Sequence, residues 1–167
     1  MPQAPSTLFL YPTESVYGVG CRPDDLPALR RLLRLKKRSW RKGLIVIAAH
    51  VWQLRPYVRG RIPNHVRQTW PGPNTWVLPA SPRCSRLLRG QHKSLAVRVT
   101  AHPPAKRLCQ RLGALVSTSA NHAGKPPARS AKQARHLRLP IVKGRVGKLA
   151  QPTTIRDGKS GAVLRQG

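Results

Sequence analysis

Acidic residues are what this chain most lacks: Glu14, Asp24, Asp25 and Asp157 are the whole supply in 167 residues, against 32 Lys+Arg, for a formal charge of +28. A glycosidase carboxylate pair, a two-metal carboxylate cluster or a kinase-type metal site would have to be assembled from almost nothing, so those classes drop out. Cysteine is also scarce. Cys21, Cys84 and Cys109 are odd in number and widely spaced, with no C-x-x-C pair and no histidine at zinc-site spacing, so neither a disulfide framework nor a structural metal is suggested and buried or idle thiols in a reducing cytosol are expected. The longest purely apolar run, Leu44 to Ala49, is far too short to span a bilayer, and no basic residue precedes Arg22, which argues against a signal or transit peptide. The signatures G-x-x-x-x-G-K-[ST], G-x-G-x-x-G and G-x-S-x-G are all missing, so a phosphate loop, a dinucleotide fold and a hydrolase elbow have no support. The counts leave room for a Ser/His/Asp triad, and nothing in the pattern places one.

What is present is positive charge spread over a folded pattern. The longest Lys/Arg run is three residues, Lys36 to Arg38, unlike the basic low-complexity tails of ribosomal-type proteins. Such a charge makes polyanions the natural partners, RNA first among them, and makes self-repulsion a cost to the compact state. With 40% hydrophobic residues the length suits one domain, residues 1–167, with a substantial core.

Periodicity supplies the elements. Leu8 to Tyr11 predicts a short buried strand, followed by a glycine-bearing loop from Pro12 to Gly20. Asp24, Asp25 and Pro27 open a helix whose Leu29, Leu32 and Leu33 recur at helical spacing up to Lys37, acids before it and bases after it in the order a helix dipole favours. Leu44–Ala49 predicts a central strand and Thr75–Leu78 another, while the Arg/Ser/Pro/Gly-rich stretch 79–93 predicts a mobile surface loop. Ser94–Thr100 reads as a strand, His102-Pro-Pro-Ala as the start of a helix to about Leu112, and 114–116 as a strand leading into Ser117-Thr-Ser-Ala-Asn121. A short helix over 130–137, a brief strand at 140–142 and a terminal hairpin around Asp157-Gly158 complete the pattern. Strands interleaved with helices predict an α/β layer fold with parallel and antiparallel pairings both present.

The candidate site is a set of cations and hydroxyls at strand ends and loops: Lys36, Arg38, Lys42, Arg98 and Arg165 beside Thr13, Ser94, Ser117, Ser119, Asn121 and Thr153. Such groups hold a triphosphate or a carboxylate through charge-assisted hydrogen bonds and can stabilise charge on a transferring phosphoryl group. Taken singly, most of them read as ordinary helix-end cations, exposed strand residues or hydroxyls bonded to local backbone. Trp70-Pro-Gly-Pro73 by itself reads as a rigid turn with a buried indole rather than a base-stacking site.

Together, Tyr11-Pro-Thr-Glu14, Lys36-x-Arg38 with Lys42-Gly-Leu44, Trp70-Pro-Gly-Pro-Asn-Thr75, Leu95-Ala-Val-Arg98, His102-Pro103, Ser117-Thr-Ser-Ala-Asn121 and Thr153-Thr-Ile-Arg-Asp157 resemble, in order and over nearly the whole chain, the YrdC-like family of threonylcarbamoyl-AMP synthases in its short single-domain form. The resemblance implies a twisted mixed sheet flanked by helices around a basic concave site. It implies an activity that joins L-threonine, bicarbonate and ATP, with Mg2+, into threonylcarbamoyl-adenylate and pyrophosphate for a tRNA modification, in the cytoplasm, with tRNA and other tRNA-modification proteins as candidate partners. It assigns threonine to Thr13, Arg98, Ser117 and Thr153, ATP to Arg38, Lys42, Ser94, Ser119 and Arg165, and a catalytic tetrad to Lys36, Arg38, Ser119 and Asn121. The sequence departs from the family at Ser39, where proline is usual, at His122-Ala123, and ahead of Leu8, where the family's first helix is expected to be missing. A scaffold that binds RNA after catalysis has decayed is the alternative reading.

Overall fold

In the computed structural model, which describes residues 7–166, the apolar runs become strands of one eight-stranded sheet. In chain order they are β1 (Phe9–Pro12), β2 (Tyr17–Gly20), β3 (Ile45–Ala48), β4 (Asn74–Pro79), β5 (Ser94–Val99), β6 (Leu115–Ser119), β7 (Thr154–Asp157) and β8 (Val163–Arg165). Side by side they run β1-β2-β6-β3-β5-β4-β7-β8. β3 pairs parallel with β5 and β4 with β7, and the other neighbours are antiparallel, so the mixed sheet is as expected. The most continuous apolar run occupies the middle: Val46, Ile47 and Ala48 of β3 are fully buried, as a strand covered on both faces requires.

Two helices of ten residues, α1 (Leu26–Leu35) and, later in the chain, Pro103–Leu112, flank the sheet. Asp25 caps α1 by accepting the Ala28 N–H at 3.0 Å, worth about 1 kcal/mol, and Ala28, Leu29, Leu32 and Leu33 form its buried stripe. The helix ends where Lys37 takes a left-handed conformation, φ 45°, and the Arg38 N–H closes on the Leu33 carbonyl at 2.9 Å. That turn carries Lys36 and Arg38 off the helix axis toward the sheet.

Three segments differ from the sequence reading. The residues before Gly20 are not one loop: the chain reverses at Thr13, whose N–H and hydroxyl both bond the Val16 carbonyl, and 17–20 returns as β2. Glycine there serves packing, since a Cβ on Gly20 would stand 2.2 Å from the Val116 oxygen and 2.7 Å from the Tyr11 ring. The stretch 79–93 is anchored rather than loose. Leu88 reaches the core from a one-turn helix, Arg86–Arg89, capped by Ser85, and backbone bonds tie Ala80 to Lys93 and Ser81 to Tyr57. Its composition hid the Leu88 and Cys84 side chains that pin it, with Leu87 packed beside them. The segment 140–142 forms one bridge, Leu10 with Ile141, in place of a strand.

The terminal hairpin turns on Asp157, whose carboxylate accepts the Lys159 and Ser160 N–H groups at 2.9 and 2.7 Å. All three cysteines are free and buried, and burial pushes Cys21 and Cys109 up to about 12 and Cys84 to about 11. The expected loss of the family's first helix concerns the segment ahead of Thr7, outside the described residues. Among the described residues no helix is long and apolar enough to cross a membrane.

Candidate active site

Two adjoining cavities open beside the starts of β3 and β5 and the end of β6. The inner one, about 200 Å3, is lined by the β1–β2 turn (Thr13 to Val16), by Arg98 of β5, by Ser117 to Ser119 of β6 and by Thr153. The outer one, about 290 Å3, is lined by Lys42, Ser94, Arg89 and His92 among others. Arg38, Leu44, Ile45 and Arg165 line both, so the two are chambers of one site. All four residues that the resemblance assigns to threonine lie in the inner chamber. Of those assigned to ATP, Lys42 and Ser94 lie in the outer chamber, Arg38 and Arg165 in both, and Ser119 in the inner one.

The inner chamber is built around a buried ion pair. The Arg98 guanidinium donates to the Glu14 carboxylate at 3.2 Å and to the Thr75 and Thr153 hydroxyls at 3.2 and 3.1 Å. Thr100 donates to the other Glu14 oxygen at 2.7 Å, and the Thr75 and Thr153 hydroxyls lie 2.8 Å apart. With side-chain exposures of 5% and 12% the pair sits largely outside water, where a lone charge would be costly; the three hydroxyls share the compensation. The Arg98 Nε is the one buried side-chain polar atom without a partner among the described residues. The irregular segment after Val142 closes this side: Gly147 N–H bonds Thr13 O at 2.8 Å and Leu149 N–H bonds Glu14 O at 3.1 Å.

At the rim, three of the four tetrad residues bond one another. The Lys36 ammonium donates to the Ser119 carbonyl at 2.7 Å, the Asn121 carbonyl at 2.9 Å and the Asn121 side-chain oxygen. Ser119 Oγ donates to that same oxygen at 2.8 Å, and the Asn121 amide donates to Lys125 O. Arg38 stands apart from this cluster, holding the Gly43 carbonyl through Nε and Nη2 at 3.2 and 2.9 Å. Lys36 and Asn121 therefore fix the end of β6 and do not themselves line either chamber.

The cations press on one another. Burial, and then the Arg38 charge, pull Lys36 down to about 8. Burial pulls Arg38 below its usual range; Arg165 falls for the same reason, with Arg38 and Arg98 adding to it. No carboxylate lines the outer chamber. The sequence reading missed Glu14, Thr75 and Thr100 as members of the site. A signal existed for Glu14, as one of four acids in so basic a chain, whereas Thr75 meets Arg98 through the pairing of β4 with β5, and Thr100, just past β5, meets Glu14 of the β1–β2 turn only in the folded chain.

Among the described residues no three His, Cys, Asp or Glu side chains gather as a metal cluster, and the one carboxylate in the cavity is bonded to Arg98 and Thr100. The donor set therefore does not itself form a Mg2+ cage.

The model of the Sua5/YciO/YrdC family, described as telomere recombination, matches residues 6–167. A protein of Methylobacillus flagellatus named threonylcarbamoyl-AMP synthase is 51% identical over 162 residues, covering 93% of this chain and 90% of its own. Among solved structures, a double variant of P. abyssi Sua5 superposes with a TM-score of 0.88 at 30% identity, over 96% of this chain and 52% of that one, so the chain spans about half the length of that protein. P. abyssi Sua5 complexed with L-threonine matches with a TM-score of 0.83 at 31% identity, over 91% of this chain and 47% of its own. By sequence along its length and by fold, the chain belongs to the Sua5/YciO/YrdC family.

Proposed function

We propose that the protein is a threonylcarbamoyl-AMP synthase, forming L-threonylcarbamoyl-adenylate and pyrophosphate from L-threonine, bicarbonate and ATP for the modification of tRNA in the cytoplasm. The observation that carries this reading is the pair of joined chambers, one rich in hydroxyls around a balanced guanidinium, the other lined by unbalanced cations, in a chain half identical to proteins of that name. The threonine complex of P. abyssi Sua5 supports the amino acid as one substrate.

In this reading threonine takes the inner chamber, its hydroxyl and carboxylate meeting Thr13, Ser117, Thr153 and Arg98. The triphosphate takes the outer chamber, where Arg38, Lys42 and Arg165 gain the negative charge that the protein does not supply. The threonine amine attacks the bicarbonate carbon, an N–C bond forms and water leaves, giving a carbamate. A carbamate oxygen then attacks the α-phosphorus and pyrophosphate departs. Arg38, shared by both chambers, faces the charge developing between them, and the Lys36–Ser119–Asn121 cluster holds the β6 end in register with it. Holding three reactants side by side supplies much of the acceleration. Mg2+ would arrive on phosphate oxygens, and no step is assigned to it.

Pyrophosphate release from ATP tests the reading. It is expected only with threonine and bicarbonate both present; release that ignores threonine would remove the assignment. The alternative of a decayed RNA-binding scaffold predicts no release at all.

A further inference from the structure

The cavity leaves one aromatic feature unused. Trp52, on the 3-10 turn that follows the far end of β3 from the catalytic chambers, is 61% exposed, whereas Trp70 and Trp76 are buried. Its indole lies nearly parallel to the His50 imidazole, at an interplanar angle of 8° and a centroid distance of 6.1 Å. Beside it is a hollow of about 470 Å3 whose lining includes Trp52, Arg55, Arg61 and Arg67 and shares no residue with either chamber.

All three arginines are exposed, and among the described residues their side chains have neither a hydrogen bond nor an ion pair. The sequence holds no Asp or Glu from Leu26 to Arg156, and no carboxylate lines the hollow. An exposed indole costs solubility and here adds nothing to the core. A flat aromatic platform ringed by uncompensated guanidinia is complementary to a polyanion with exposed π faces, that is, to unpaired nucleotides. A duplex hides its base faces and would use the arginines alone. An acidic protein would likewise leave the indole without a stacking partner.

We propose that the Trp52 hollow is a contact site for single-stranded RNA, in which one unpaired base stacks on the indole and Arg55, Arg61 and Arg67 take flanking phosphates. RNA rather than DNA is named because the proposed function puts RNA in the path of the product, and that choice rests on that reading. The stacking geometry does not.

Fluorescence anisotropy with a labelled mixed-sequence 12-nucleotide RNA tests it on the full chain, without ATP or threonine, so the outcome is independent of catalysis. Trp52→Ala is expected to weaken binding at least about fivefold with an unchanged salt slope, and Trp52→Phe to restore most of it. Arg55→Ala, Arg61→Ala and Arg67→Ala are each expected to lower the salt slope by about 0.7. The Trp52→Ala protein should keep its melting temperature and its pyrophosphate release. RNA should also quench tryptophan emission in the parent and much less in Trp52→Phe. Equal affinity of parent and Trp52→Ala for the RNA strand would overturn the proposal, as would tighter binding of the same sequence as a duplex or as DNA. Trp52-dependent capture of polyglutamate in preference to RNA would overturn it in favour of an acidic protein partner.

Discussion

In the inner chamber Arg98 is balanced by Glu14 and by the hydroxyls of Thr75 and Thr153, whereas the outer chamber gathers Arg38, Lys42, Arg89 and Arg165 with no carboxylate in its wall. The first arrangement is balanced in charge without a ligand, with only the Arg98 Nε left without a partner among the described residues, and its groups are held in place by one another. The second is incomplete by a negative charge, and two of its cations, Arg38 and Arg165, lie below their ordinary proton affinity, both through burial and Arg165 also through the charges of Arg38 and Arg98. Preorganisation suits a small zwitterion that must be oriented. Frustrated charge suits a triphosphate, whose binding relieves the repulsion.

The sharpest way to break the contrast is to remove one partner from each chamber. Glu14→Ala strands Arg98 in a buried site and is expected to lower stability by about 3 kcal/mol in urea unfolding. Arg165→Leu removes one of several repelling cations and is expected to leave stability within about 0.5 kcal/mol of the parent, or to raise it. Equal losses from the two would mean that the chambers do not differ in this way.

Activity should split in the opposite sense. Arg38→Ala is expected to reduce kcat/KM for ATP about 10- to 100-fold, the loss of a charge-assisted contact, with a much smaller change in the KM for threonine. Ligand-free protein should gain stability when salt is raised toward 1 M, since screening reaches the partly exposed outer cations first, and saturating ATP should remove most of that gain. A melting temperature indifferent to salt would show that the cations are not in conflict.

Smaller effects concern Lys36. Its folded value near 8 lies below its ordinary 10.5, so between these the unfolded chain binds the extra proton and this group's contribution to stability rises with pH. Its charge is lost over the same range, so turnover should decline above about pH 8, and Lys36→Arg should move that decline upward. The buried thiols give the least change: with all three raised to about 11 or 12, alkylation at pH 8 should proceed only after denaturation.

The central strand, α1 with its Asp25 cap, the Pro103 helix and the Asp157 hairpin were legible because each follows from local pattern and turn chemistry. The β1–β2 hairpin was not, because Gly18 and Gly20 look like loop residues, and Gly20 in fact yields room for Tyr11 and β6. Leu88 was hidden in a polar stretch. In the site, the cations and hydroxyls were legible only as a set, since singly most read as ordinary surface groups, and the Glu14–Arg98–Thr100 network was not legible at all: Glu14 and Arg98 are 84 positions apart, and only the fold brings them together. The tetrad of Lys36, Arg38, Ser119 and Asn121 came from the resemblance, and the structure adds that Lys36 and Asn121 bond each other and Ser119 at the end of β6 while Arg38 stands apart.

All four Asp and Glu side chains are already spoken for: Glu14 by Arg98, Asp24 by Arg22, Asp25 by the first turn of α1 and Asp157 by the terminal hairpin. Anyone retuning this protein's surface for handling or crystallisation thus has no acid to spare and wide latitude among the 32 bases, provided the replacements stay away from Lys36, Arg38, Lys42, Arg89, Arg98 and Arg165 of the two chambers and from Arg55, Arg61 and Arg67 of the Trp52 hollow.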